Sequence, residues 1–352
     1  MTRKVDYLII GQGLAGSLLA WELIARNYSV MVVDPEQNNA SKIAAGIINP
    51  ISGMRFVLAN EIDVLLPAAR QLYQHLADFF HHDVFVATPM LRLLPNEAAY
   101  QQVQQRLTQA PYQAYFSDGA RGHALSDFKS YAYVHQQQTG YVLLPKLLAS
   151  LKAFLCQRDS YLSAYFDYSS LQITPQLRWQ DFTPKQIVFC EGYLGANNPW
   201  FSWLPFQLAK GEILTLRHDR EQPKMIINYG HWVLPCPSQQ LRVGATFSHQ
   251  CLNTLPTVAA KDELLHALRT VNAHLDAFTC LQQDAHIRPC TRDKQPFLGC
   301  HPRYPQLLIF NGFGAKGSLY MPWYSQQFAK ALTQHTPFPA DIQRFYARHF
   351  PC

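Results

Sequence analysis

Val5-Asp6-Tyr7-Leu8-Ile9-Ile10-Gly11-Gln12-Gly13-Leu14-Ala15-Gly16 is a short apolar run that enters a Gly-x-Gly-x-x-Gly turn. The run has the composition of a buried parallel strand. Beyond it, Leu18, Leu19, Trp21, Leu23 and Ile24 recur with helical spacing, and Val30 to Val33 forms a second strand-like run ending in Asp34. Strand, glycine turn, helix, strand and terminal acid in this order predict a βαβ unit that binds a dinucleotide. Each glycine has its own task. Gly11 permits the tight turn, Gly13 lets backbone N–H groups approach a pyrophosphate, and Gly16 lets helix and strand pack closely. The helix N-terminus directs partial positive charge at the pyrophosphate, and Asp34 is placed to accept hydrogen bonds from the adenosine ribose. The unit by itself leaves NAD and FAD open.

The 352 residues, 48% of them hydrophobic, suffice for one large domain or two closely joined ones. No apolar run reaches membrane-spanning length. Arg3-Lys4 ahead of apolar residues imitates a secretory leader. The stretch is broken by three glycines and is needed as the nucleotide-binding strand, so it reads as mature protein. Eight cysteines with irregular spacing and no C-x-x-C pair point to reduced thiols and a cytoplasmic location. The fourteen histidines show no ligand spacing, so no metal site is expected. A net charge of +6 is scattered in runs no longer than two, which leaves nucleic acid open without arguing for it.

Further along, Ser41 to Pro50 is rich in small residues that let a backbone lie against a flat ligand. A helix is predicted over 61–82, strands near 84–87 and 90–94, and a surface helix over 96–110. Gly140 to Pro145 opens a helix that runs through Phe154, and Gln186 to Gly192 is another buried-strand pattern ending in glycine. Strands follow at 212–217, 225–228, 231–235 and 241–246, with an antiparallel look. A helix over 262–276, a strand over 306–311, a glycine loop from Gly312 to Gly317 and a helix over 324–332 complete the chain. The expected fold is mixed α/β. A discontinuous Rossmann-like nucleotide domain (1–85, 140–195, 285–352) would carry an inserted antiparallel-sheet substrate domain (86–139, 196–284).

Several of these blocks converge on one family. The front fingerprint, Ser41 to Pro50, Gly140 to Pro145, Ile187 to Gly192 and the tail resemble the D-amino-acid oxidase / glycine oxidase superfamily of FAD proteins. The tail is the most specific: Arg288-Pro289-Cys290-Thr291-Arg292-Asp293-Lys294-Gln295-Pro296-Phe297-Leu298-Gly299 matches that family's R-P-x-x-x-D-x-x-P-x-[IL]-G block. The chain is also similar to the oxidoreductase half of bifunctional enzymes that modify tRNA aminomethyl-uridine, although it lacks their methyltransferase half.

The resemblance implies FAD, bound non-covalently. Cofactor contacts carried over at the front are Gly11, Gly13, Leu14, Ala15, Gly16, Asp34 and Pro35. Ser41, Lys42, Ala44, Ala45 and Gly46 follow, then Val142, Glu191 and Gly192. Gly312, Phe313, Gly314, Ala315, Lys316 and Gly317 form the loop that presents N–H groups to the flavin pyrimidine edge. Lys316 is there either to add positive charge beside the flavin or as an ordinary solvent-facing lysine. Arg288 is implied to clamp a substrate carboxylate, since a guanidinium matches a carboxylate bidentately. Its alternative is a structural arginine paired with Asp293 or an internal acid. Thr246 lies in a matching block near the active site, and Tyr229, His231, Trp232, Tyr320 and Trp323 are candidates to line the pocket. The sarcosine oxidase branch attaches its flavin through a cysteine; aligning on Asp293 puts His286 at that place, so cysteinyl attachment is not expected.

The implied activity is oxidation of a C–N bond of a small amine or N-substituted amino acid. Hydride passes to flavin N5, the imine hydrolyses, and dioxygen or another acceptor reoxidises the flavin. The alternatives are a tRNA-modifying flavoenzyme acting on a carboxymethylaminomethyl group, and a flavin-binding partner subunit without turnover.

Overall fold

Strand β1 (Arg3–Ile10) runs into helix α1 (Leu14–Ile24) and strand β2 (Val30–Asp34), the order expected of the front unit. The computed structural model describes residues 2–125, 127–217, 223–272, 274 and 278–349. After α2 (Ile62–Phe80), the chain forms β3 (Met90–Leu94), β4 (Phe116–Arg121) and β5 (Ala132–Gln136). It returns through α3 (Leu144–Gln157), β6 (Tyr161–Ser163) and β7 (Phe182–Phe189). Next come β8 (Ala209–Arg217), β9 (Ile226–Asn228), β10 (Trp232–Cys236), β11 (Gln240–Gly244), α4 (Val258–Val271) and β12 (Thr279–Arg288). The last elements are β13 (Phe297–Cys300), β14 (Leu307–Asn311) and α5 (Gly317–Gln334).

Two sheets organise these elements. The first has the order β6-β2-β1-β7-β14-β13 and is parallel except for its last pair. Ile9 packs into the cluster formed with α1, α2, α3 and α5, while its neighbours Leu8 and Ile10 pack on the other face with Trp179 and Phe201. Burial on both faces is why β1 reads as a nearly continuous apolar run. The second sheet has the order β12-β8-β11-β10-β9-β3-β5-β4 and is antiparallel except between β9 and β3. One face, carrying Leu214, Leu216, Val233, Leu241 and Val243, packs with Leu264 and Leu268 of α4. The opposite face packs Leu234, Ile226 and Met90 against Ala45. The fold is therefore the mixed α/β architecture expected. Among the described residues, no helix is long and apolar enough to cross a membrane.

Several boundaries differ from expectation. Gly140–Val142 is a short strand, and α3 starts only at Leu144 with Pro145 in its first turn. Helix α4 runs over Val258–Val271, capped by the Thr257 side chain; residues 273, 275 and 276 of the expected helix lie outside the described residues. Strand β12 was not foreseen: it is an edge strand with Gln282, Gln283 and Asp284 at its centre.

The largest difference is α5, which starts at Gly317 rather than near Tyr324 and contains Pro322. Proline has no N–H for the carbonyl four residues back, which belongs to Ser318. The buried Tyr73 hydroxyl of α2 donates to that carbonyl at 2.8 Å and fills the vacancy. Tyr73→Phe should therefore strand a buried carbonyl and lower stability by about 1–3 kcal/mol. Urea unfolding of the two proteins checks this, and an unchanged midpoint would count against it.

Candidate active site

The glycine turn between β1 and α1 is shaped from within the chain at two of its three glycines. Gly11 has φ +105°, and a Cβ there would sit 2.6 Å from the Cys190 carbonyl oxygen. A Cβ at Gly16 would overlap the Gly11 carbonyl. Gly13 is different: a side chain there would meet only Ser41 Oγ, at 3.4 Å. The chain itself does not demand a glycine at 13, so the open space in front of it is available to a ligand. Helix α1 has no acid in its first turn and no side-chain cap at Gly13. The Leu14 N–H donates to Ser41 Oγ at 3.1 Å. Asp34 is buried; its two oxygens accept the N–H groups of Gln12 and Glu36, each at 2.7 Å. The acid thus ties the glycine turn to the end of β2, with lone pairs left for ribose hydroxyls. Leu14 and Ala15 are buried in α1, and Pro35 follows Asp34 at the start of the loop.

Ser41 and Lys42 lie on the single helical turn Ala40–Ile43, where Asn39 caps the Lys42 N–H and Lys42 Nζ donates to Gln37 O at 3.0 Å. Ala44, Ala45 and Gly46 follow. Gly46 has φ +73° and lies so close to the Val142 carbonyl that no Cβ fits. Arg242, which was not singled out in the sequence, holds this segment by donating to the carbonyls of Ile43 and Ala44 (3.2 Å for the latter). Its signal was present but easy to miss. It alternates with Leu241 and Val243, which face α4, so it faces the other way.

Glu191 and Gly192 follow β7, beside the glycine turn. The Glu191 side chain turns away from the turn: one oxygen accepts the Tyr168 hydroxyl and the other accepts Asn198 Nδ2 at 2.8 Å. Burial raises its carboxyl to about 7, against the opposing effect of those two hydrogen bonds. The folded state therefore holds a proton that the unfolded chain releases at lower pH. Stability from this group is present below the ordinary glutamate range and is lost as pH rises to about 7. Glu191→Gln should remove that component, roughly 2–3 kcal/mol. The difference in urea midpoint between pH 5 and pH 8 should shrink accordingly.

Helix α5 begins at the carboxyl end of β14, as α1 does at the end of β1. Only β7 lies between those two parallel strands, so their carboxyl ends are about 10 Å apart. Ligands of open parallel sheets bind along this edge. Like α1, α5 has no acid in its first turn and no side-chain cap. The loop before it takes left-handed conformations at Gly312 (φ +84°) and Gly314 (φ +56°), and Gly314 to Lys316 form a 3-10 turn. The Phe313 ring points into the core against Phe310 and Tyr324. Ala315 is exposed. Lys316 is half-buried and has no hydrogen bond or ion pair among the described residues; burial and the nearby Lys294 push its pKa down. Its ammonium lies 5.7 Å from the centre of the Tyr320 ring, so a cation with no described acid partner stands at the start of α5.

Arg288 is the last residue of β12 and lies on the sheet face away from α4, opposite Ala209. Its guanidinium rests over Gly211, where any Cβ would collide with it. One terminal nitrogen donates to the carbonyls of Thr246 (3.1 Å) and Lys210 (3.4 Å). Burial lowers its pKa. The alternative pairing fails: Asp293 instead holds Arg344 at 2.9 Å. Among the described residues Arg288 has no carboxylate partner. A half-buried charge held this way favours an anion beside it.

Thr246 is brought to Arg288 through its carbonyl, while its hydroxyl accepts the Glu212 N–H at 3.0 Å. Trp232 lies across Gly244 on the same face as Arg242, and a Cβ at Gly244 would meet its ring at 2.8 Å. Tyr229 must be corrected. It packs with the cluster beneath α4, on the far face of the sheet, and its buried hydroxyl has no partner among the described residues. His231 points the same way, 3.9 Å from Glu263 of α4. Tyr320 and Trp323 belong to α5 and pack at the edge of the helical cluster. His286 Nε2 lies 3.1 Å from Asn38 O, with its ring edge-on to Tyr193.

The family model for FAD-dependent oxidoreductases (DAO) matches residues 6–331. The chain belongs to the DAO family. FAD is therefore its cofactor, and the protein is an FAD-dependent oxidoreductase. It is 21% identical to a glycine oxidase of Pseudomonas putida over 96% of each chain. Identity with a glycine oxidase of Bacillus licheniformis is 27%, over 40% of this chain and 39% of that one. It is also 21% identical to the tRNA 5-methylaminomethyl-2-thiouridine biosynthesis bifunctional protein MnmC of Leptospira interrogans, over 83% of this chain; the match spans 47% of that protein. A solved glycine oxidase from Bacillus cereus has the same fold, with TM-score 0.80 and 19% identity over 95% of this chain and 96% of that one.

As a DAO-family site the residues fit FAD. The space in front of Gly13, the two acid-free helix N-termini, the buried Asp34 and Lys316, which has no acid partner among the described residues, suit a pyrophosphate, a ribose and an electron-rich ring.

Proposed function

We propose that this DAO-family protein oxidises a C–N bond in a small amine or N-substituted amino acid that carries a carboxylate. The observation that carries this is Arg288, a half-buried guanidinium with no carboxylate partner among the described residues, cradled over Gly211 and steadied by two carbonyls. Bound FAD supplies the two-electron acceptor; in this reading it is held non-covalently by the front turn, Ser41 to Gly46 and Gly312 to Gly317. Electrons then pass to dioxygen or another acceptor. The chain's own part is to bind and orient. Arg288 takes the carboxylate bidentately, and Trp232 over Gly244 supplies an apolar wall that helps exclude water. The first sheet with its helices forms the cofactor domain and the second sheet with α4 the substrate domain.

The likeness to MnmC supports a second reading, in which the amine is a carboxymethylaminomethyl group on tRNA. Both readings require a carboxylate at Arg288. Comparing flavin reduction by an N-substituted glycine and by its carboxamide tests that requirement. The acid should be preferred by at least about 100-fold, the effect of unpairing a buried charge. Equal rates would overturn the proposal. Reduction by modified tRNA alone would move it to the second reading.

A further inference from the structure

Asn311 is the last residue of β14 and is 3% exposed. Its side-chain amide makes two contacts that join two loops. Nδ2 donates to the Gly192 carbonyl, in the loop after β7, at 2.9 Å. Oδ1 accepts the Gly312 N–H, at the head of the loop before α5, at 2.7 Å. Gly195 packs so tightly on this amide that a Cβ there would sit 2.6 Å from Nδ2. The strands β7 and β14 are adjacent and parallel, so the two loops leave the same sheet edge side by side.

The loop that Asn311 fixes has a regular division of its N–H groups. Those of Gly312, Gly314 and Lys316 are taken by Asn311 Oδ1, Pro289 O and Phe313 O. Those of Phe313 and Ala315 have no partner among the described residues. With the Lys316 ammonium and the α5 N-terminus, these unpaired donors make a positive patch two strands from the α1 N-terminus. A reduced flavin is electron-rich, so donors held rigidly beside it favour reduction, and donors free to reorient do so less.

We propose that Asn311 is a positioning residue: by clasping Gly192 to Gly312 it holds the loop before α5 in the conformation that raises the electron affinity of the bound flavin. This rests on the reading that Gly312 to Gly317 faces the flavin. The test measures FAD affinity and the flavin reduction equilibrium in the holoenzyme and in two uncharged variants. Asn311→Ala removes the clasp. Gly195→Ala displaces the amide without altering the loop or its charge. Both should keep FAD affinity within about threefold while shifting the two-electron equilibrium about tenfold against reduction, about 30 mV. An equilibrium unchanged within twofold, with FAD bound, overturns the proposal. Loss of FAD from both variants also overturns it, because the clasp would then be structural; if only Asn311→Ala fails to fold, Gly195→Ala decides. Lys316→Met separates this inference from the reading beneath it. If it moves the equilibrium and the clasp variants do not, only the role of Asn311 falls. If none of the three moves it, the loop does not face the flavin.

Discussion

Arg288→Met is expected to lower kcat/KM for carboxylate-bearing amines by roughly 10²- to 10³-fold while leaving FAD affinity within a few-fold. The guanidinium's contacts within the chain are carbonyl oxygens and the face of Gly211, with the Phe247 ring 5.3 Å away. None of these neutralises a charge, so among the described residues the guanidinium is left able to take an anion, which in the proposed reading is the substrate carboxylate. Removing one member of a buried, hydrogen-bonded charge pair costs about 2–5 kcal/mol. Methionine keeps much of the volume and removes the charge. Because the free protein holds a half-buried cation with no carboxylate partner among the described residues, the variant should also be no less stable than the parent. Equal loss of substrate turnover and of FAD binding, or a marked drop in unfolding midpoint, would make Arg288 a structural residue instead.

The glycine turn supports an equally large effect, with a sharp contrast between two positions three residues apart. Gly16→Ala puts a methyl into the Gly11 carbonyl, which is backbone and cannot yield without moving β1 against α1. That variant should be destabilised by several kcal/mol even without cofactor, or fail to fold. At Gly13 the backbone is extended (φ −72°), and alanine meets only Ser41 Oγ at 3.4 Å. Gly13→Ala should keep the apoprotein within about 1 kcal/mol of the parent, the usual scale of a cap substitution. It should nonetheless weaken FAD by at least about 100-fold, because the methyl occupies the space through which the pyrophosphate reaches the N–H groups. Unfolding of the two apoproteins and FAD titration of each decide the matter. Parallel losses in both variants would show that Gly13 serves packing alone.

How much of this was legible in the sequence follows from how local each signal is. The front unit was readable because strand, turn, helix and acid signals lie within thirty residues and each has a separate physical cause. The unforeseen parts depend on residues far apart. Pro322 looked like a helix boundary, and only the Tyr73 hydroxyl, arriving from α2, lets α5 run through it. Strand β12 carries no apolar alternation at its centre, because Gln283 bonds Glu212 and the rest of that stretch is an open edge. Its existence is fixed by pairing with β8, some seventy residues earlier. Tyr229 was misplaced for a related reason. Which face a strand residue occupies depends on register, and an aromatic next to a turn gives no hint of it. Arg288 itself is recognisable from its motif, but that no carboxylate among the described residues pairs with it depends on Asp293 being engaged by Arg344.

The proposed activity is the oxidation of amines bearing a carboxylate. It is tested most directly by anaerobic titration of the purified, FAD-loaded protein with glycine, sarcosine, proline and D-amino acids, followed by the flavin's visible absorbance. Bleaching by at least one of these compounds is expected, with the absorbance restored on admitting dioxygen or an artificial acceptor. Flavin that stays oxidised with every one of them would contradict it.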